Sequence, residues 1–133
     1  MDSVGPALAG LAFVAAMTRV PEPARLRLNA VLVIGVSSAY LSGGFGLWEL
    51  VYPAAVSVVG YRAMFSYRFI GVGWLMHSAW DLAHHLWGNP LWPFMATSSW
   101  GCMIFDAVIG LWFVSGLGLR LPRFSPARQK VRV

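Results

Sequence analysis

The chain has 133 residues, enough for one domain, and is 58% hydrophobic and only 11% charged. That composition, with a mean hydropathy of +0.64, departs from a soluble globule and predicts a lipid bilayer as solvent. The net charge of +5 would point to nucleic acid in a soluble protein, but the basic residues sit between apolar runs and at the C-terminal end, so no nucleic-acid partner is predicted. With Cys102 the only cysteine, no intramolecular disulfide can form.

Five apolar segments follow in order, at 4–18, 28–43, 46–61, 68–88 and 99–118. Residues 1–16 carry no basic stretch and Asp2 sits where one would be, so a signal peptide is not predicted. Arg19, Arg25 and Arg27 follow the first segment. SGGFG at 42–46 is a glycine-rich turn before the third, within which Pro53 removes a backbone hydrogen bond and predicts a bend. Arg62 and Arg68 flank the next turn, and NPLWP at 89–93 separates the fourth segment from the fifth. Arg120, Arg123, Arg128, Lys130 and Arg132 come last. If every segment crosses a membrane, all ten basic residues fall on the inner side. The predicted fold is therefore an all-α integral membrane protein, a compact bundle of five transmembrane helices with N-out, C-in topology. Residues 1–120 form the five-span bundle and 121–133 a basic cytoplasmic tail. Membrane lipid is a partner, and a homodimer is left open because no motif fixes an interface.

The densest polar cluster is HSAWDLAHH at 77–85, where His77, Asp81, His84 and His85 are spaced to share one helix face. From the helix rise, His77, Asp81 and His84 lie about 13, 19 and 24 Å along the fourth segment. Asp106 is about 10 Å into the fifth from its other end, level with Asp81, and Glu49 about 5 Å into the third, level with His84. Three helices can thus deliver carboxylates and imidazoles to one pocket. Ser99, Cys102 and Asp106 share a face of the last helix.

Two chemistries fit such a pocket. In the first, His77, Asp81 and His84 ligate a divalent zinc, iron or manganese ion, with Asp106, Glu49 and His85 as further ligands and Asp106 as an alternative general base. In the second, no metal is needed: Asp81, Asp106 and Glu49 are the catalytic acids and bases, and His77 orients the donor. Either would make the protein an enzyme acting on a lipophilic small molecule, and the metal-free version fits isomerisation, cyclisation or epoxide opening of an isoprenoid-like substrate. Trp48, Trp74, Trp80, Trp87, Trp92 and Trp100 accumulate around the same half, where aromatic faces can stabilise a cation. A proton or ion pathway is a third reading, weakened because no matching ionisable chain is apparent in the other half.

The stretches SYRFIGVGWLMHSAWDLAHHLWGNP (66–90) and TSSWGCMIFDAVIGLW (97–112) resemble a bacterial family of small integral membrane proteins of unknown function. The resemblance covers roughly residues 28–115 and implies a helical domain in the bacterial inner (plasma) membrane. A looser similarity exists to emopamil-binding-type sterol isomerases, in which a His and an acid one turn apart serve proton transfer; it would map onto His77 and Asp81.

Overall fold

The computed structural model describes residues 2–116. Its elements are α1 (Val4–Met17), α2 (Ala24–Val36), a 3-10 turn (Ser37–Ser42), α3 (Trp48–Ala63), α4 (Tyr67–Trp87) and α5 (Ser98–Val114). The five-helix, all-α expectation holds. Asp2 starts α1 by accepting the backbone N–H groups of Val4 and Gly5 on its carboxylate, at 3.0 and 3.4 Å. At the end of α2 the hydroxyls of Ser37 and Ser38 donate back to the carbonyls of Ile34 and Gly35, and the chain tightens there into the 3-10 turn. Helix α3 continues through Pro53. The hydroxyls of Ser99 and Ser98 accept the N–H groups of Leu91 and Trp92, which pins the α4–α5 connection onto the start of α5.

The membrane reading does not survive. Among the described residues no helix is long and apolar enough to cross a membrane. Helices α1, α2, α3 and α5 have 14, 13, 16 and 17 residues, so they reach only about 20–26 Å against a hydrocarbon core of about 30 Å. Helix α4 has 21 residues but includes Arg68, His77, Asp81, His84 and His85. The transmembrane fold class, the N-out, C-in topology and the inner-membrane localisation are corrected accordingly. The basic tail predicted at 121–133 lies outside the described residues.

Glycines set how closely the helices approach. A Cβ at Gly71 would lie 2.5 Å from Val114 Cγ2 and 2.8 Å from the Gly110 carbonyl, and one at Gly73 would lie 2.4 Å from Val33 Cγ1. Helix α4 therefore packs nearly backbone to backbone on α5 and close against α2. The core around it comprises Val33, Tyr40, Val56, Ile70, Trp74, Ile109 and Phe113.

The five arginines of the described residues gather where α1 and α3 end and α2 and α4 begin. Arg25 is buried there. Its Nε and Nη2 donate to Glu22 Oε1 at 2.8 and 2.6 Å, its Nε also reaches the Tyr67 hydroxyl at 2.8 Å, and that hydroxyl in turn donates to Glu22. Burial pushes the Glu22 carboxyl up, but the Tyr67 hydroxyl and the Arg25 guanidinium outweigh it and hold it below its usual range. Replacing Tyr67 with Phe removes one acceptor and one donor from this group and is expected to cost about 1–2 kcal/mol. Urea unfolding checks this; a variant as stable as the parent would mean that the Glu22–Arg25 pair alone suffices.

Candidate functional site

Tyr40, on the 3-10 turn, is fully buried and stands at the middle of the polar interior. Its ring lies parallel to that of His77, with centroids 5.7 Å apart and planes at 14°, and also contacts the rings of His84 and Tyr52. Its hydroxyl donates to Asp81 Oδ1 at 2.7 Å.

His77 is saturated. Its Nε2 lies 2.7 Å from the Val33 carbonyl oxygen, which can only accept, so Nε2 carries the proton. Its Nδ1 then accepts from the Tyr52 hydroxyl at 2.9 Å. One imidazole thereby ties α2 and α3 to α4. Burial holds the ring neutral by lowering its pKa to about 4, partly opposed by the Val33 hydrogen bond.

Asp81 and Asp106 lie close enough across the α4–α5 interface to shift one another's carboxyl, and Asp81 Oδ2 is buried with no other hydrogen-bond partner. Two buried carboxyls this close disfavour a second charge, which favours one proton held between them. Burial raises both. At Asp106 the charge of Asp81 and the bond to it add to the rise, whereas at Asp81 the hydrogen bonds from Tyr40 and Asp106 pull in the opposite direction. The Tyr40 hydroxyl, donating to Asp81 Oδ1 at 2.7 Å, favours the charge on Asp81 and the proton on Asp106.

A second pair sits one turn further along α4. Glu49 Oε1 accepts the Phe45 N–H at 3.1 Å and lies 3.5 Å from His84 Nε2. His84 Nδ1 lies 3.1 Å from the Asn89 carbonyl oxygen. Phe45, Trp80 and Tyr40 surround the His84 ring, with centroids 4.8, 5.6 and 5.4 Å away.

Glu49, His77, Asp81, His84 and Asp106 thus all point inward as their spacing predicts, each no more than 5% exposed. His85 does not: half-buried, it lies against the Trp100 ring at 5.3 Å. The metal reading is corrected as well. Among the described residues no group of three or more His, Cys, Asp or Glu side chains could hold a metal ion. His77 has no lone pair left, His85 faces elsewhere, and the remaining candidates divide into the Asp81–Asp106 and Glu49–His84 pairs. Of the tryptophans, Trp74 and Trp80 face the site, whereas Trp48, Trp87 and Trp92 are exposed. The residues missed by sequence reasoning are Tyr40 and Tyr52. Tyr52 carried a signal, since it follows Glu49 by three positions on the face that α3 buries.

A groove of about 330 Å³ lies between the start of α1 and the start of α5; Asp81 and Asp106 are not part of its lining, which comes nearest to Asp106 along α5 at Cys102 and Phe105. Pro6, Trp92, Met95, Cys102 and Phe105 form its apolar lining, and Asp2 is among its polar wall. Cys102 stands one turn before Asp106. Burial, with the charges of Asp81 and Asp106, pushes its thiol up to about 12, so it lines the groove as an uncharged group.

A family model described as a family of unknown function, DUF6010, matches residues 1–118. The chain belongs to that family. No curated protein and no solved structure matches it, and nothing in the comparisons links it to sterol isomerases.

Proposed function

We propose that the protein is a metal-free acid–base enzyme acting on a lipophilic small molecule, with Asp106 as proton donor and Asp81 as proton acceptor. The observation that carries this reading is the buried pair of carboxyls, both raised mainly by burial, with the Tyr40 hydroxyl donating to Asp81. A protonated carboxyl beside an ionised one offers acid and base together at neutral pH. The groove whose lining includes Cys102 and Phe105, neighbours of Asp106 on α5, is of a size for a small apolar substrate, which would have to pass this lining to reach the pair.

For an olefin the balance is simple. The proton of Asp106 adds to one alkene carbon, the π pair forms the new C–H bond, and a carbocation remains on the neighbouring carbon. Asp81 takes a proton from the adjacent position, and the C–H pair left behind forms the shifted double bond. The pair ends with one proton, now on Asp81, and is reset by transfer across the hydrogen bond between the two. Trp92 and Phe105, which line the groove, offer π faces to the cation. For an epoxide, protonation by Asp106 at the ring oxygen would accompany C–O cleavage, the C–O pair staying on oxygen as a hydroxyl, and Asp81 would take a proton from the carbon next to the cation, whose C–H pair forms the double bond of an allylic alcohol.

The test is incubation with a panel of isoprenoid olefins and epoxides in D₂O, followed by mass spectrometry. The parent is expected to incorporate deuterium or open the ring, and Asp106→Asn to lose about 10²–10⁴-fold of that rate while retaining its circular dichroism. An Asp106→Asn variant with full turnover would sink the assignment. Infrared spectroscopy gives a check that needs no substrate: a protonated-carboxyl band that persists at neutral pH in the parent and vanishes in Asp106→Asn.

A further inference from the structure

The proton-transfer reading uses the interior of the bundle and leaves its basic end without a role. Arg19 follows α1, Arg27 lies in the first turn of α2, Arg62 in the last turn of α3 and Arg68 in the first turn of α4. All four are exposed, and none has an ion pair among the described residues. The one carboxylate at this end is Glu22, which is already held by Arg25 and the Tyr67 hydroxyl. Arginine keeps its charge at every working pH, so this concentration of positive charge depends on no protonation state. Helix α5 also ends here, where the Phe113 ring stacks on Tyr67. Residues 117–133, which continue from this end, add five basic residues and no acidic one.

Like charges gathered without counter-charges repel one another, and a polyanionic partner relieves that repulsion. The side chains interleaved with the arginines say which polyanion fits. Tyr61 and Phe65, 61% and 73% exposed, flank Arg62 in sequence and touch edge to face at 5.7 Å. Leu28 is exposed next to Arg27. Aromatic rings set among guanidinium groups match the headgroup level of a lipid surface, where arginine meets phosphate and rings settle at the boundary with the acyl chains. A nucleic acid offers the phosphates but no apolar layer behind them. Val31 and Val58, one turn further along α2 and α3, are also exposed, with no charged side chain between them and this end.

We propose that the end of the bundle carrying Arg19, Arg27, Arg62 and Arg68, with Tyr61 and Phe65, docks on an anionic phospholipid surface. The guanidinium groups pair with lipid phosphates and the two rings sit at headgroup level. Docking of this kind stays on the surface and needs no helix to cross the bilayer. It stands whether or not the Asp81–Asp106 pair is catalytic.

Flotation of the full chain with vesicles tests this, using phosphatidylcholine alone or mixed with an equal part of phosphatidylglycerol. Each arginine at an anionic surface contributes about a fivefold gain in partition, so the phosphatidylglycerol vesicles are expected to be preferred by about 10²-fold or more at low salt. Raising the salt to about 0.5 M is expected to remove most of that preference. Arg62→Gln with Arg68→Gln is expected to bind the anionic vesicles about 30-fold more weakly, with unchanged circular dichroism. Should that variant fold poorly, Arg19→Gln with Arg27→Gln makes the same test from α1 and α2. Equal binding to both kinds of vesicle would overturn the proposal. So would double variants that bind like the parent, since the attraction would then belong to residues 117–133 alone. Displacement from the anionic vesicles by a single-stranded oligonucleotide at equal phosphate concentration would overturn it too, in favour of a nucleic-acid surface.

Discussion

Replacing Gly71 with alanine is expected to destabilise the protein by about 3 kcal/mol or more. The added Cβ would sit 2.5 Å from Val114 Cγ2, 2.7 Å from the Val114 nitrogen and 2.8 Å from the Gly110 oxygen. Two of those three atoms are backbone, so no rotamer change relieves the overlap and α5 must move bodily away from α4. That displacement acts on the site directly. The α4–α5 interface carries the Asp81–Asp106 hydrogen bond and the bond from the Ser78 hydroxyl to the Met103 carbonyl, 2.9 Å long. Gly35→Ala is the matched control: no heavy atom lies within 4 Å of its added Cβ, and alanine there is expected to be neutral or stabilising by about 0.5–1 kcal/mol. Urea unfolding of both variants checks the pair of expectations. A Gly71→Ala protein as stable as the control would mean that the two helices can separate without cost.

The second large effect is a dependence of stability on pH whose sign differs between two buried groups. Asp81 and Asp106 both have pKa values raised on folding, mainly by burial. The folded state holds protons that the unfolded state releases, so the stability these groups contribute is complete below about pH 4 and is lost as pH rises through neutrality. His77 is the reverse. Burial lowers it from 6.5 to about 4, so its contribution is present above pH 6.5 and falls by about 3 kcal/mol as pH drops to 4. In the parent the two effects oppose each other below pH 6.5, and only the loss above it stands clear. Asp106→Asn removes the carboxyl that burial, the Asp81 charge and the bond to Asp81 all raise, and leaves Asp81 raised by its own burial alone. This variant is expected to exceed the parent by roughly 3 kcal/mol at pH 9, equivalent to about two pH units of carboxyl displacement, and to expose more of the acid limb of His77. Denaturant midpoints at pH 4.5, 6.5 and 9 measure both limbs. A variant that loses stability at high pH as steeply as the parent would contradict a shared proton. The expected gain also fits a catalytic pair, since replacing a strained functional group commonly stabilises a fold while removing its activity.

Much of this architecture is legible in the sequence, and the departures have physical causes. Apolar runs locate all five helices because each run is bounded by Pro, Gly or charge. The segment expected at 28–43 divides because Ser37 and Ser38 bond back to the preceding turn, a competition that hydropathy does not register. The inward set Glu49, His77, Asp81, His84 and Asp106 follows from spacing and helix rise alone. Its division into two pairs does not, because helix order around the bundle is unknown until Gly71, Gly73 and Gly110 show which backbones touch. The metal expectation failed at His77, whose second nitrogen is taken by a tyrosine hydroxyl that no ligand-spacing rule considers. The membrane expectation rested on apolar runs and on the one-sided placement of the basic residues, and it took the last two segments as long enough to span, which α4 and α5 are not once their apolar length is measured. Large apolar side chains such as Leu8, Leu47, Val58, Leu86 and Leu111 are exposed, so the high hydropathy reflects outward faces as well as the core.

The gathering of Arg19, Arg25, Arg27, Arg62 and Arg68 at one end, with Glu49 towards the other, gives the described residues an electric dipole along the bundle axis. A net charge of +5 describes the molecule only at long range. Within a Debye length of about 8 Å the two poles act separately. Two copies approaching side by side repel in parallel and attract in antiparallel alignment, so any self-association that buries those outward apolar faces has its orientation biased before a single contact forms, and added salt weakens that bias.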